Sequence, residues 1–328
     1  MPEAVPPRYS IVLPVYNEED SVLPLAEAIA RAMEGLGRDP YEIVFVDDGS
    51  KDRSAELIRG LSEKRPEIRL IRFRKNFGQA AAIAAGFDHA RGEIVITMDA
   101  DLQNDPADIP RMLTVLAQGY DVVCGWRKDR QDRAFSRKVP SKIANWLICR
   151  MTGVTVHDYG CTLKVFRKDV IRKLPLYGGL HRFIPALTAD YGARITEMVV
   201  THHPRGFGES KYNIMRTFPV VMDLLFVLFM MRFSRRPFYL FGGAGLLLMA
   251  LGGAILVYLV GVKMFLGMSI GGRPLLALGT IFLIGGIQLF SLGLLTGLLF
   301  KFHVEMHDEA TYSILELVED GKRFEKGD

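Results

Sequence analysis

Glu93-Ile-Val-Ile-Thr-Met-Asp-Ala-Asp-Leu-Gln103 is the stretch on which the reading of this chain turns. Glu93 to Met98 is a short, almost unbroken apolar run that stops at a carboxylate cluster, as a strand covered on both faces would. The segments before it alternate in the same way. Tyr9-Ser-Ile-Val-Leu-Pro-Val15 reads as a buried strand ending in the polar turn Tyr16-Asn17-Glu18-Glu19-Asp20. Ser21 to Glu34 then has helical spacing, with Val22, Leu25, Ile29 and Met33 on one face. Glu42 to Val46 is a second strand, closed by Asp47-Asp48-Gly49-Ser50, and Ser54 to Glu63 a second helix. Arg69 to Phe73 and the alanine-rich Gln79 to Ala90 repeat the pair. This rhythm predicts an α/β fold, a mainly parallel, Rossmann-like sheet with helices on both faces. Ligands of such sheets bind outside the carboxyl ends of the strands, where Asn17-Glu18, Asp47-Asp48 and Asp99–Asp101 all fall.

Further strands are expected at Asp121–Cys124, Leu163–Phe166 and Ile195–Thr201, between long polar loops. Of the 328 residues 49% are hydrophobic, but most of the charge lies before Pro237. No charge occurs from Pro237 to Val262 or from Pro274 to Phe300, and each run exceeds the ~20 residues that a membrane span needs. Arg232, Arg235 and Arg236 stand before the first run and Lys301 after the second, while the loop between holds Lys263 and Arg273. We read a transmembrane helical hairpin with both ends inside, on a modest charge asymmetry. Ile214 to Phe233, apolar but broken by Arg216, Pro219 and Asp223, reads as interfacial helices. The expected organisation is a cytoplasmic catalytic domain (1–213), interfacial amphipathic helices (214–236), the hairpin (237–300) and a cytoplasmic tail (301–328). With no targeting segment at the N-terminus, the expected place is the inner membrane, catalytic domain and both termini cytoplasmic. Cys124, Cys149 and Cys161 form no CxxC pair and read as reduced thiols. A net charge of +4, without an arginine-rich tract, argues against a nucleic-acid partner and suits an anionic lipid surface.

Asp99-Ala-Asp101-Leu-Gln103 offers two carboxylates and an amide oxygen at alternate positions, the hard ligands that Mg²⁺ or Mn²⁺ takes before completing its shell with phosphate and water. The bland reading is an acidic turn ahead of a helix near Pro106. Asp47-Asp48 could accept from a base N–H or a ribose hydroxyl, or simply form an Asp-Gly turn. In Lys75-Asn76-Phe77-Gly78-Gln79 a glycine permits close approach to a ligand. The basic stretch from Arg127 to Lys142 is partly a solvated face, yet two phosphate-bearing substrates meeting in one site need several fixed cations.

Pro-Val-Tyr-Asn-Glu (14–18), Val-Asp-Asp-Gly-Ser (46–50), Asn-Phe-Gly-Gln (76–79) and Asp-Ala-Asp-Leu-Gln (99–103) resemble family 2 glycosyltransferases with the GT-A fold. Asp-Tyr-Gly-Cys (158–161), Phe-Gly-Glu-Ser-Lys-Tyr (207–212) and the two apolar runs are similar to the dolichol-phosphate-mannose synthase branch, most of all its bacterial undecaprenyl-phosphate sugar transferases. The resemblance covers almost the whole chain. It implies transfer of a sugar from a nucleotide sugar, uridine being the expected base, to polyprenyl phosphate, for cell-envelope glycan modification. It also implies that Pro14, Tyr16, Glu18, Asp47, Asp48, Asn76, Gln79 and Asp99 face the nucleotide, and that Asp101 and Gln103 hold Mg²⁺ or Mn²⁺. Arg127, Arg137, Ser141, Arg205, Ser210 and Lys211 would bind the acceptor phosphate, and the catalytic set would be Asp101, Asp158 and Arg127. The family's paired arginines stand here as Arg137-Lys138, and lysine keeps the charge without the bidentate fork. Asp158 matches a carboxylate proposed as a base, but a phosphate monoester with a second pKa near ~6 is already largely dianionic and needs positioning more than deprotonation.

The expected reaction is an inverting single displacement. A transferase extending a saccharide chain is the rival enzyme reading, against which the absent Gln-x-x-Arg-Trp motif counts. A non-catalytic nucleotide-sugar-binding membrane scaffold is the rival from another class. His303 and His307 read as part of a surface helix, and His202-His203 as lining the acceptor loop or ending a strand. Gly293-Leu-Leu-Thr-Gly297 is a GxxxG pattern able to pack helices within a protomer or to form a homo-oligomer.

Overall fold

The computed structural model describes residues 6–37, 39–128, 149–150, 153–172, 174, 176, 178–204, 222, 229, 237–307, 316–319 and 322–325. Alternation of strand and helix runs as expected through β1 (Tyr9–Val15), α1 (Val22–Glu34), β2 (Tyr41–Asp47), α2 (Ser54–Lys64), β3 (Ile68–Arg72), α3 (Gln79–His89) and β4 (Ile94–Thr97). A 3-10 turn, Pro106–Asp108, leads into α4 (Ile109–Leu116), followed by β5 (Val122–Trp126), β6 (Lys164–Arg167), α5 (Lys168–Ile171), α6 (Ile184–Asp190) and β7 (Ile195–Val199). The chain forms two compact units, residues 1–228 with 314–328 and residues 229–313.

In the first unit the sheet order is β3-β2-β1-β4-β6-β5-β7. β1 is parallel to both β2 and β4, and β2 to β3. β6 runs antiparallel to β4 and β5, and β7 returns parallel to β5. β1 and β2 are apolar nearly throughout because both faces are covered; Ile11, Leu13, Ile43 and Phe45 are fully buried. α1 closes one face with Val22, Leu25, Ala26, Ile29 and Met33, each full burial of a large aliphatic contributing about 1.5–3 kcal/mol before entropy. α3 lies so close to β1 that a Cβ at Gly86 would stand 2.1 Å from Val12 Cγ1, so any larger side chain there would push helix and strand apart. Pro14 is tolerated in a central strand because the ladder to β4 stops at Val12.

In the second unit, α7 (Pro237–Leu266) and α8 (Pro274–His307) pack antiparallel, and both are long and apolar enough to cross a membrane. Each starts on proline, whose missing N–H costs nothing in a first turn. Their ends differ from those expected: α7 carries Lys263 in its last turn and continues to Leu266, and α8 passes Lys301. A lysine in a last turn is favoured by the helix dipole and reaches outward on its apolar stem, so the charge does not end the helix. Backbone meets backbone along this hairpin: a Cβ at Gly252 would lie 2.6 Å from Leu283 N, and one at Gly293 2.8 Å from Gly242 N. The first glycine of the GxxxG pattern therefore packs inside the protomer. Back in the first unit, Glu316–Glu319 and Lys322–Glu325 pair as a short antiparallel hairpin. Apart from Met222 and Phe229, the segment expected to be interfacial lies outside the described residues.

Candidate active site

The loops at the carboxyl ends of β1 to β4 are tied together in series. Asn17 sits in the left-handed region (φ 56), its N–H donating to Ser50 Oγ at 2.9 Å and its Oδ1 accepting from Lys51 N at 2.8 Å. Glu18 N donates to Ser54 Oγ, and Glu19 N to Asp52 Oδ2, so the turn after β1 is knitted to the turn after β2. The next tie is Asp48, whose carboxylate accepts from Phe77 N (2.6 Å) and Gly78 N (2.9 Å), fixing the loop between β3 and α3. Gly49 (φ 70) makes that contact sterically feasible, since a Cβ there would lie 2.5 Å from the Lys75 carbonyl carbon. Gln79 then donates to Asp99 Oδ1 at 2.6 Å, joining the start of α3 to the turn after β4. A cavity of ≈ 310 Å³ opens among Gly49, Ser50, Arg72, Phe73 and Arg74. Asp47, fully buried, accepts from Ser50 N through Oδ1. Its Oδ2 lies 3.3 Å from Arg72 Nε without hydrogen-bond geometry, leaving one buried carboxylate oxygen unsatisfied.

The acidic turn is built around Leu102, a non-glycine residue at φ 60 whose side chain packs on the core. That anchor lets Asp101 and Gln103 stand on one turn, with Gln103 N donating to Asp101 Oδ1 at 3.2 Å. Backbone of this kind persists only where surroundings over-determine it. Here the surroundings include His203 N donating to Gln103 O (2.8 Å), His203 Nε2 against Asp105 Oδ2 (3.1 Å), and Thr201 N donating to Asp108 Oδ2 (2.6 Å). His202 bridges Asn104, so the histidine pair straps the acidic turn down as well as following β7. Burial first, then the Asp101 carboxylate, push Asp99 up to about 6, while the Thr162 hydroxyl, Arg127 and Lys164 act the other way. A hard cation would fit this donor set: Asp101 and Gln103 would offer oxygens, and the crowded carboxylates favour positive charge. Among the described residues no three His, Cys, Asp or Glu side chains form a cage, so the rest of the shell would come from ligand and water.

Across β6 from this turn stand Arg127 and Asp158. Arg127 Nε donates to Asp158 Oδ2 at 2.7 Å and Nη2 to Oδ1 at 3.1 Å, a two-point pair whose side chains are 12% and 11% exposed. Burial acts to lower the Arg127 pKa, but the hydrogen bonds and charge of Asp158 more than offset it and raise it further above its ordinary value. Asp158 also accepts from Gly160 N at 3.1 Å. Lys164, buried on β6, donates from below to the carbonyls of Tyr159 and Cys161, gripping the 158–161 turn from both sides. Thr162 completes the bridge, accepting from Asn104 Nδ2 at 3.0 Å through its hydroxyl and from Thr97 Oγ1 at 2.8 Å through its carbonyl. The Arg127 pair and the acidic turn are thus parts of one hydrogen-bonded scaffold.

Of the residues singled out from sequence, Pro14, Tyr16, Glu18, Asp47, Asp48, Asn76, Gln79, Asp99, Asp101 and Gln103 fall on the carboxyl edge of β1–β4, and Arg127 and Asp158 pair beside it. Arg137, Ser141, Arg205, Ser210 and Lys211 lie outside the described residues. Lys164, Thr162 and Asn104 drew no notice in the sequence; a lysine inside an apolar strand was the one available signal. Trp126 and His157, stacked with centroids 4.3 Å apart, and Glu197, which accepts from His157 N, were also missed.

The glycosyl transferase family 2 model matches residues 10–175. The chain is 44% identical to the dodecaprenyl-phosphate galacturonate synthase of Rhizobium johnstonii, over 95% of this chain and 93% of that one. It is 39% identical to the undecaprenyl-phosphate 4-deoxy-4-formamido-L-arabinose transferase of Pseudomonas aeruginosa, over 94% and 90%. Among solved structures, glucosyl-3-phosphoglycerate synthase from Mycobacterium tuberculosis, in complex with Mn²⁺, uridine diphosphate and phosphoglyceric acid, superposes with a TM-score of 0.53. That match covers 69% of this chain and 78% of that one at 16% identity, a likeness of fold.

Proposed function

Because the chain belongs to glycosyl transferase family 2 and is a glycosyltransferase, we propose that it moves a sugar from a uridine diphosphate donor to polyprenyl phosphate at the cytoplasmic face of the inner membrane. The observation that carries this reading is full-length similarity, hairpin included, to two relatives named for polyprenyl-phosphate substrates. In this proposal the catalytic domain and both termini are cytoplasmic, and α7 and α8 anchor the chain in the bilayer that carries the acceptor.

Residues at the ends of β1 to β3 hold the nucleoside, and the ≈ 310 Å³ cavity between Gly49 and Arg74 suits a single-ring base. Asp101 and Gln103 would hold Mg²⁺ or Mn²⁺, which when bound offsets charge on the diphosphate. Arg127, oriented by Asp158, neutralises phosphate charge and fixes direction. The acceptor phosphate oxygen attacks the anomeric carbon while the bond to the nucleoside diphosphate breaks on the opposite face, inverting the centre. The acceptor phosphate is already largely dianionic, so Asp158 serves as the orienting partner of Arg127.

The test is a product assay on the full chain in detergent with undecaprenyl phosphate, Mg²⁺ or Mn²⁺ and a panel of nucleotide sugars, with mass spectrometry of the lipid fraction. A lipid-phosphate-sugar formed from a UDP-sugar and lost in Asp101→Asn supports the proposal. Hydrolysis alone, or extension of an oligosaccharide, overturns the acceptor assignment.

A further inference from the structure

Gln288 lies in the middle of α8 with its side chain exposed. At ~1.5 Å per residue it stands about 21 Å from Pro274 and about 16 Å from Leu299, the ends of the apolar span, and so near the centre of a hydrocarbon core about 30 Å thick. The threonines on this helix, by contrast, bond locally to its own backbone: Thr280 Oγ1 donates to Leu276 O and Thr296 Oγ1 to Leu292 O, each at 2.9 Å. The Gln288 amide has no partner among the described residues. It points away from α7, for the stripe that packs on α7 runs through Gly279, Leu283, Gly286 and Phe290. Gln288 is two residues from both Gly286 and Phe290, hence about 160–200° round the helix.

Lipid tails offer an amide no hydrogen bond, and at this depth neither headgroups nor a soluble partner can reach it. A carboxamide supplies both donors and an acceptor, so it is complementary to itself across a two-fold axis, where a residue meets its own copy. Its neighbours on that face are Ile281, Leu292 and Leu295, all exposed, and Gly285, where a Cβ would meet nothing within 4 Å. A small residue beside a polar one is what close approach of two membrane helices uses.

We propose that the Ile281–Gly285–Gln288–Leu292–Leu295 face of α8 is a self-association surface, covered by the same face of a second copy of this chain, with the two Gln288 amides hydrogen-bonded across the axis. This surface is separate from the Gly293-x-x-x-Gly297 pattern, whose first glycine is used inside the hairpin. It rests on the membrane reading of α7 and α8, not on the identity of the sugar or the acceptor.

The experiment follows resonance energy transfer between labelled full-length chains in lipid bilayers on serial dilution with lipid. The wild type should self-associate, and Gln288→Leu should weaken association about three- to twenty-fold, the range of a membrane hydrogen bond. Gln288→Asn, which keeps an amide, should retain most of it, and Gly285→Leu should weaken it by blocking approach. A wild type that stays embedded yet monomeric overturns the pairing, as does Gln288→Leu associating like wild type. Release of the chain from membranes by alkaline carbonate overturns the membrane premise itself, a failure distinct from either.

Discussion

Replacing Asp158 by asparagine separates an orienting carboxylate from a base. Asparagine keeps the shape and one acceptor oxygen but leaves the Arg127 guanidinium without its counter-charge, 12% exposed and with one of two hydrogen bonds lost. Breaking a buried ion pair by removing one partner costs about 3–5 kcal/mol. The residual exposure here and the surviving bond to one oxygen place Asp158→Asn near the lower end, at about 3 kcal/mol. For a unit of this size that is a fall of about 6–12 °C in Tm. It can be followed through Trp126, which stacks on His157 next to the pair. Arg127→Met/Asp158→Leu, which removes both charges, should recover most of the stability while remaining inactive. Sugar transfer by Asp158→Asn should fall about 100-fold, as for loss of a positioned electrostatic contact. Its pH–rate profile should keep the wild-type shape. A Tm within 2 °C of wild type, or a rate that now climbs with pH as hydroxide replaces a missing base, would refute the orienting role.

Three further outcomes are expected. Lys164→Met removes the buried ammonium that grips the 158–161 turn, and transfer should drop about tenfold with nucleotide affinity by calorimetry unchanged; equal loss of both would make Lys164 merely structural. Gly49→Ala, at φ 70 with its new Cβ 2.5 Å from the Lys75 backbone, should shift the Lys75–Asn76 loop and weaken uridine diphosphate binding about tenfold or more, and unchanged affinity would remove that loop from the nucleotide site. Burial, then the charges of Arg182 and Lys164, push His181 down to about 3, so only the unfolded chain protonates near pH 6. Folding stability should therefore fall by about 2 kcal/mol between pH 7 and 5, a loss that continues toward pH 3 and is absent in His181→Leu; parallel pH curves for the two would contradict it.

Much of the molecule was legible from local pattern. Short, nearly unbroken apolar runs such as Ile43–Val46 and Val95–Met98, each closed by a polar turn, read as strands covered on both faces, and the 3/4 spacing of Val22, Leu25, Ile29 and Met33 as one buried face of a helix. The carboxylates at the ends of those strands then had to lie on one edge, because parallel strands point their carboxyl ends the same way. Long uncharged runs likewise announced α7 and α8, since span length is a one-dimensional property. Pairing across the chain was not legible. Sequence spacing does not bring Arg127 to Asp158, 31 residues away, and the two-point pair between them exists only once β5 and β6 lie side by side. The same holds for Asp48, whose oxygens are occupied by the amides of Phe77 and Gly78, and for Lys164, whose place in an apolar strand makes sense only when Tyr159 and Cys161 fold back over it. Periodicity is local and dictated by which face meets the core; a charge's partner is chosen by topology, and that is decided in three dimensions.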